Sequence, residues 1–158
     1  VITCATVGGS FALSKDDTSI KVVGKVNNSL NLSLDDLKAM NTTSVTVIPD
    51  PENEKSLPET YKGVLLKDIL DRAEVTGGHR DTIHYVILAK ATDGYTATIA
   101  YGEIRENDDG NKIILAFEKD GKAIRKDEGG PVRLIVPTDD FQGRWVKWVH
   151  EIDVNDTV

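Results

Sequence analysis

A chain of 158 residues, 39% apolar and 28% charged, can build one sizeable hydrophobic core and is short for two. Its 26 acidic and 19 basic side chains give a net charge of −7, which disfavours general binding to nucleic acid or acidic lipid. The apolar and β-branched content excludes a disordered chain, and no run of 18 apolar residues exists that would cross a membrane as a helix.

The opening stretch, VITCATVGGSFALSKDD, does not begin with Met. It reads as an N-terminal extension over 1–19, either the trimmed end of a leader or anchor segment or an ordinary frayed terminus. Cys4 is the single cysteine and cannot form an internal disulfide. From Ile20 to Val26 the alternation of Ile20, Val22, Gly24 and Val26 with Lys21 and Lys25 predicts a strand. After the Asn27-Asn28-Ser29 turn, Ser33 is a good N-cap for a short helix over 34–40, with Asp36 three positions on, a weak relative of the capping box. Leu34, Leu37 and Met40 share one side of that helix, and Asn41-Thr42 end it. Val45 and Val47 mark a second strand.

Residues 49–60, PDPENEKSLPET, carry three prolines and four carboxylates with no apolar period, and predict a long loop. Val64 to Val75 is amphipathic, with Leu66, Ile69, Leu70 and Ala73 at helical spacing. GGHRD at 77–81 breaks the chain. Ile83 to Ala89 then predicts a strand, with Ile83, Tyr85 and Ile87 on one face and Val86 and Leu88 on the other, hence a central one. Asp93-Gly94 signals a turn, Thr96 to Ala100 a short strand, GEIREND a turn or single helical turn, and NDDGN a loop. Ile113 to Lys119 reads as a strand closed by the Asp120-Gly121 hairpin signal. Val132 to Val136 and Trp145 to Val154 complete the strands. The whole predicts one mixed, strand-dominated α+β domain over 20–154.

Chemistry-bearing patterns are few. His79, His84 and His150 follow no metal-binding spacing, and there is no Gly-rich phosphate loop or nucleophile elbow. The C-terminal third is the basic part of an acidic chain: Lys119 to His150 holds seven basic and five acidic residues. Within it, Gly143, Arg144 and Lys147 interleave with Trp145 and Trp148, the whole tryptophan content. Glycine N–H groups, a guanidinium fork and an ammonium suit an anionic group. Packed tryptophans with cations reaching outward are the structural alternative.

Gly130-Pro131-Val132-Arg133-Leu134-Ile135-Val136-Pro137 followed by Gly143-Arg144-Trp145-Val146-Lys147-Trp148-Val149 resembles the C-terminal signature of the sulfite-oxidase-like molybdopterin-binding domain family. Tyr61-Lys62-Gly63-Val64 with Leu66, Asp68 and Leu70 resembles that family's W-x-G-V-x-L-x-D-L-L run, and Asp93-Gly94-Tyr95 its D-G-Y turn. The resemblance implies a domain that holds a molybdenum–pterin cofactor. Carried over by position, Gly143, Arg144 and Lys147 would hold the cofactor phosphate, with Arg133 in or beside the same sheet. It also implies a molybdenum-ligating cysteine between the second strand and the Tyr61 motif. Here that region, Val47 to Tyr61, has neither cysteine nor histidine. The larger enzymes' C-terminal dimerisation domain has no counterpart in the chain.

The expectation is therefore a molybdopterin-binding-like domain without the metal-ligating cysteine. It either binds a pterin-type cofactor or another anionic small molecule without thiolate ligation, or has lost the cofactor and serves as a binding protein with a protein partner. No catalytic or metal-ligating residue is assigned. The enzyme-class rival is a molybdenum-dependent oxidoreductase with an unconventional ligand, such as Asp50, Glu52 or Glu54. A secreted, periplasmic or cell-surface placement goes with the leader reading.

Overall fold

The computed structural model describes residues 18–158, so Cys4 and the proposed extension up to Asp17 lie outside the described residues. The first alternation forms β1 (Ile20–Gly24), with Ile20 and Val22 buried and Lys21 exposed. Strand β2 (Leu30–Leu32) follows, too short to carry a visible period. In α1 (Leu34–Ala39), the Asp36 amide donates to Ser33 Oγ at 3.1 Å and the Ser33 amide to Asp36 Oδ2 at 2.9 Å, so Asp36 completes a reciprocal capping box.

Strands β3 (Thr42–Val47) and β4 (Glu59–Leu65) pair antiparallel, with Val47 opposite Glu59 at the open end of the long loop. This shortens the expected loop, which ends at Pro58. Within the amphipathic stretch from Val64 to Val75 the helix starts at Leu66, because Val64 and Leu65 finish a strand paired on both sides. Gly63 is the reason that motif tolerates no side chain: an added Cβ would lie 2.0 Å from the Leu115 carbonyl oxygen. Helix α2 (Leu66–Ala73) buries the expected Leu66, Ile69, Leu70 and Ala73.

Next come α3 (His79–Thr82), β5 (Tyr85–Ala91), β6 (Thr96–Ala100) and α4 (Tyr101–Glu106). Ile83 is not in a strand. It ends the α3 turn and is 61% exposed. Strand β7 (Ile114–Lys119) turns into β8 (Lys122–Ala123) through Asp120 at φ 50° and Gly121 at φ 80°, the left-handed pair that a tight two-residue hairpin needs. Strand β9 (Arg133–Ile135) and β10 (Val149–Asp156) close the chain.

One sheet has the order β2-β1-β10-β5-β6, with β1 parallel to β10 and β5 in its interior, as expected. The other has the order β3-β4-β7-β8, with β9 also on β7. The strand expected from Trp145 begins only at Val149. Residues 145–148 form a bridge between the sheets: the Leu134 amide donates to the Val146 carbonyl at 2.8 Å, and the Val149 amide to the Val132 carbonyl at 3.1 Å. Trp148 sits at φ 50°, which breaks the extended run.

Candidate functional site

The four residues singled out for an anionic group do not meet at one point. Arg144 ends a single 3₁₀ turn, Gln142–Arg144, and is half-buried. Its Nε donates to Asp139 Oδ2 at 2.8 Å and its NH2 to Asp139 Oδ1 at 2.6 Å. The same guanidinium reaches Glu103 of α4 through NH1 at 3.0 Å and NH2 at 3.1 Å. Two bidentate carboxylates use nearly all of the fork's donors. Hydrogen bonds to Asp139 first, then to Glu103, hold the guanidinium firmly protonated. The cluster as a whole has a formal charge of one negative unit.

Gly143, next to it, is exposed, and its carbonyl accepts from the Tyr95 hydroxyl. Lys147 is exposed and points the other way along the bridge. Its aliphatic stem lies against Gly129, where an added Cβ would come within 2.5 Å of Lys147 Cγ.

Arg133 is buried, at 6% exposure, in β9. Its NH1 donates to the Tyr61 hydroxyl at 3.2 Å, its guanidinium lies 5.5 Å from the Tyr61 ring centroid, and its buried Nε has no hydrogen-bond partner. Tyr61 in turn donates to Glu59 Oε2 at 2.7 Å, and Lys119 pairs with the other oxygen of Glu59 at 2.6 Å. Trp145 packs edge-on against Tyr61, with centroids 6.1 Å apart, and donates its indole N–H to the Val136 carbonyl at 2.9 Å. Burial, then the hydrogen bond to Glu59, raises the Tyr61 phenol well above its usual range, against a smaller lowering by Arg133.

The two tryptophans therefore differ. Trp145 is core. Trp148 is half-buried and walls a cavity of about 500 Å³ with Lys126, Pro131 and His150. Its indole N–H is tied to the Lys126 carbonyl at 2.7 Å, and its amide to Gly129 at 2.7 Å, which holds the left-handed backbone in place.

Sequence reasoning missed Tyr61, Glu59, Glu103 and Asp139 as members of these clusters. Asp139 is visible in hindsight, five residues before Arg144 in one loop. Glu103 lies 41 residues away on a segment read as a turn or a single helical turn, and no pattern in the chain links the two. The loop between β3 and β4 offers the exposed carboxylates Asp50, Glu52 and Glu54. Among the described residues no group of three or more His, Cys, Asp or Glu side chains stands together as a metal cluster.

The family model described as the oxidoreductase molybdopterin binding domain matches residues 8–158. The rat mitochondrial sulfite oxidase (Rattus norvegicus) is 31% identical over 168 residues, covering 90% of this chain and 30% of that protein. Spinach NADH nitrate reductase (Spinacia oleracea) is 33% identical over 102 residues, covering 61% of this chain and 11% of its own length. The crystal structure of the sulfane dehydrogenase SoxCD from Paracoccus pantotrophus superposes with a TM-score of 0.72 at 23% identity, over 94% of this chain and 41% of that one. The chain thus spans under a third of the curated relatives it matches, and the SoxCD likeness is one of fold.

Proposed function

Because the chain belongs to the oxidoreductase molybdopterin-binding domain family, we propose that it is a binding member of that family, in which the scaffold is kept and thiolate-held metal chemistry is not. The observation that carries this reading is the state of Arg144. In the loop where the family resemblance places an anion-holding cation, Glu103 and Asp139 already neutralise the guanidinium and leave the cluster negative. A phosphate would have to displace two carboxylates already in bidentate contact. The donor set of the β3–β4 loop points the same way. Proline, carboxylates, lysine, serine and asparagine line it, and a soft metal that prefers sulfur finds only hard oxygen donors. The residues of this loop do not fit a thiolate-ligated molybdenum, and no oxygen-transfer step is assigned to them. Placement outside the cytoplasm belongs to the same proposal and is checked by fractionating the native host.

The test is to produce the chain in a host that synthesises molybdopterin, then measure molybdenum by elemental analysis and pterin by its fluorescence after oxidation. Both should be far below one per chain. Near-stoichiometric molybdenum would restore the oxidoreductase reading, with carboxylate or Cys4 ligation to be separated by Asp50→Ala and Cys4→Ala.

A second reading is favoured by one observation: the Arg133 Nε is buried and unpartnered, and Lys147 is exposed. In this reading either Arg133, through its spare donor, or Lys147, through its exposed ammonium, contacts the anionic tail of a pterin cofactor, with Arg144 as scaffold. Pterin at one per chain without molybdenum would favour this reading. So would phosphate stabilisation of the wild type that Lys147→Ala removes, a comparison with the mutant being needed because such anions stabilise proteins generally.

A further inference from the structure

The mouth of the long loop carries apolar side chains that the core does not use. Val47 pairs with Glu59, so Ile48 and Leu57 flank the same opening, and the Asp50 amide to Ser56 Oγ contact at 3.3 Å folds the loop back on itself. Gln142 Nε2 donates to the Pro49 carbonyl at 2.9 Å, which brings Phe141 alongside. Tyr95 joins through its hydroxyl on Gly143. Ile48 is 51%, Leu57 77%, Tyr95 50% and Phe141 68% exposed, four of the six exposed large apolar side chains among the described residues. Single exposed apolar residues are ordinary, whereas a gathered set rimmed by charge marks an interaction surface.

The rim is acidic. Asp50, Glu52, Glu54 and Asp140 are exposed, and none of them is ion-paired among the described residues. Lys55 is the one cation between Ile48 and Leu57. We infer that this end of the second sheet docks a protein segment with an apolar centre flanked by lysine or arginine, an inference that rests on the binding-protein reading above. Charge selects the occupant. A second copy placed symmetrically would set four carboxylates against four, on a chain already at −7, and acidic lipid or nucleic acid would be repelled in the same way.

The experiment titrates the ¹⁵N-labelled full chain with a synthetic peptide of alternating lysine and leucine. A glutamate-for-lysine counterpart and oligolysine serve as controls. Saturable binding is expected, with shifts confined to residues 48–57, 95 and 139–143, and both controls weaker by on the order of tenfold. Phe141→Ser and Leu57→Ser should each weaken binding by about tenfold, with otherwise unchanged spectra reporting an intact fold. Replacing Asp50, Glu52, Glu54 and Asp140 with their amides should remove the salt dependence. Shifts spread over the whole surface, unchanged affinity in both serine variants, or a dimer in sedimentation that Phe141→Ser dissolves would each overturn the proposal. Molybdenum measured on the same sample keeps the two readings apart. Molybdenum present with the peptide still mapped here defeats only the non-catalytic reading. Molybdenum absent with no mapped binding defeats only the docking surface.

Discussion

Two arginines eleven positions apart solve opposite problems. Arg133 is nearly inaccessible, its one partner is Tyr61 through hydroxyl and ring, and its own Nε has no hydrogen-bond partner. Arg144 keeps about a third of its side chain in solvent and holds two carboxylates. A buried cation with a single neutral partner ties its stability to that partner, because an unmet donor inside the protein keeps its full desolvation cost. A half-exposed ion cluster has water and salt as substitutes, so it contributes less and positions more. The first arrangement locks β9 to β4. The second ties the loop of 139–144 to α4, and leaves no positive surface behind.

That contrast can be broken most forcefully at Tyr61. Tyr61→Ala should cost about 3–5 kcal/mol, the range for truncating a buried aromatic, since it also removes the Trp145 edge contact. Denaturant unfolding would show it, and a loss below about 1 kcal/mol would mean that the cluster does not organise the second sheet.

Tyr61→Phe sharpens the comparison. It keeps the ring and removes the acceptor of Arg133 and the donor to Glu59, at a cost of about 1–3 kcal/mol that salt should leave nearly unchanged. The pH dependence has a definite sign. The folded phenol is raised, by burial first and the Glu59 hydrogen bond second, while the unfolded phenol ionises near its usual value of about 10. Its contribution is therefore complete below about pH 10 and is lost as pH rises beyond that toward the folded value. Unfolding free energies measured across that window should fall less steeply in Tyr61→Phe than in the wild type. Equal slopes would remove the phenol from the account.

The smallest effect is expected at Arg144. Arg144→Gln should cost only ~1 kcal/mol, and less as salt screens both the lost attraction and the remaining Glu103–Asp139 repulsion. A salt-independent loss as large as that of Tyr61→Phe would erase the distinction between the two sites. If Glu103→Gln with Asp139→Asn instead creates phosphate-dependent stabilisation absent from the wild type, the compensated arginine is confirmed as what keeps the anion out.

Much of the fold was legible along the chain. The α2 face, the Ser33 cap and the Asp120-Gly121 hairpin all rest on contacts within a few residues, and each stands where its spacing placed it. Strand β4 was read partly as loop and partly as helix, because its residues become a strand only through ladders to β3 and β7. Ile83 looked like part of a buried alternation, yet the α3 turn holds it out in solvent. The motif around Gly130–Pro137 and Gly143–Val149 was enough to point to the family, and the family model agrees over 8–158.

What the sequence by itself determined is the inventory: an α+β pattern, the scaffold motifs, and a stretch from Val47 to Tyr61 with no thiolate or imidazole to hold a soft metal. Those follow from residue type and short spacing, which need no partner to be read. The allocation of charge was decided only in three dimensions. Gly143, Arg144 and Lys147 are near neighbours in sequence and looked like one anion site, but the bridge from the 3₁₀ turn to Trp148 sends Arg144 to Glu103 and Lys147 to Gly129. Whether a cation is free or spent depends on which carboxylate the fold brings within about 3 Å of it, and that distance is set by tertiary packing across dozens of residues.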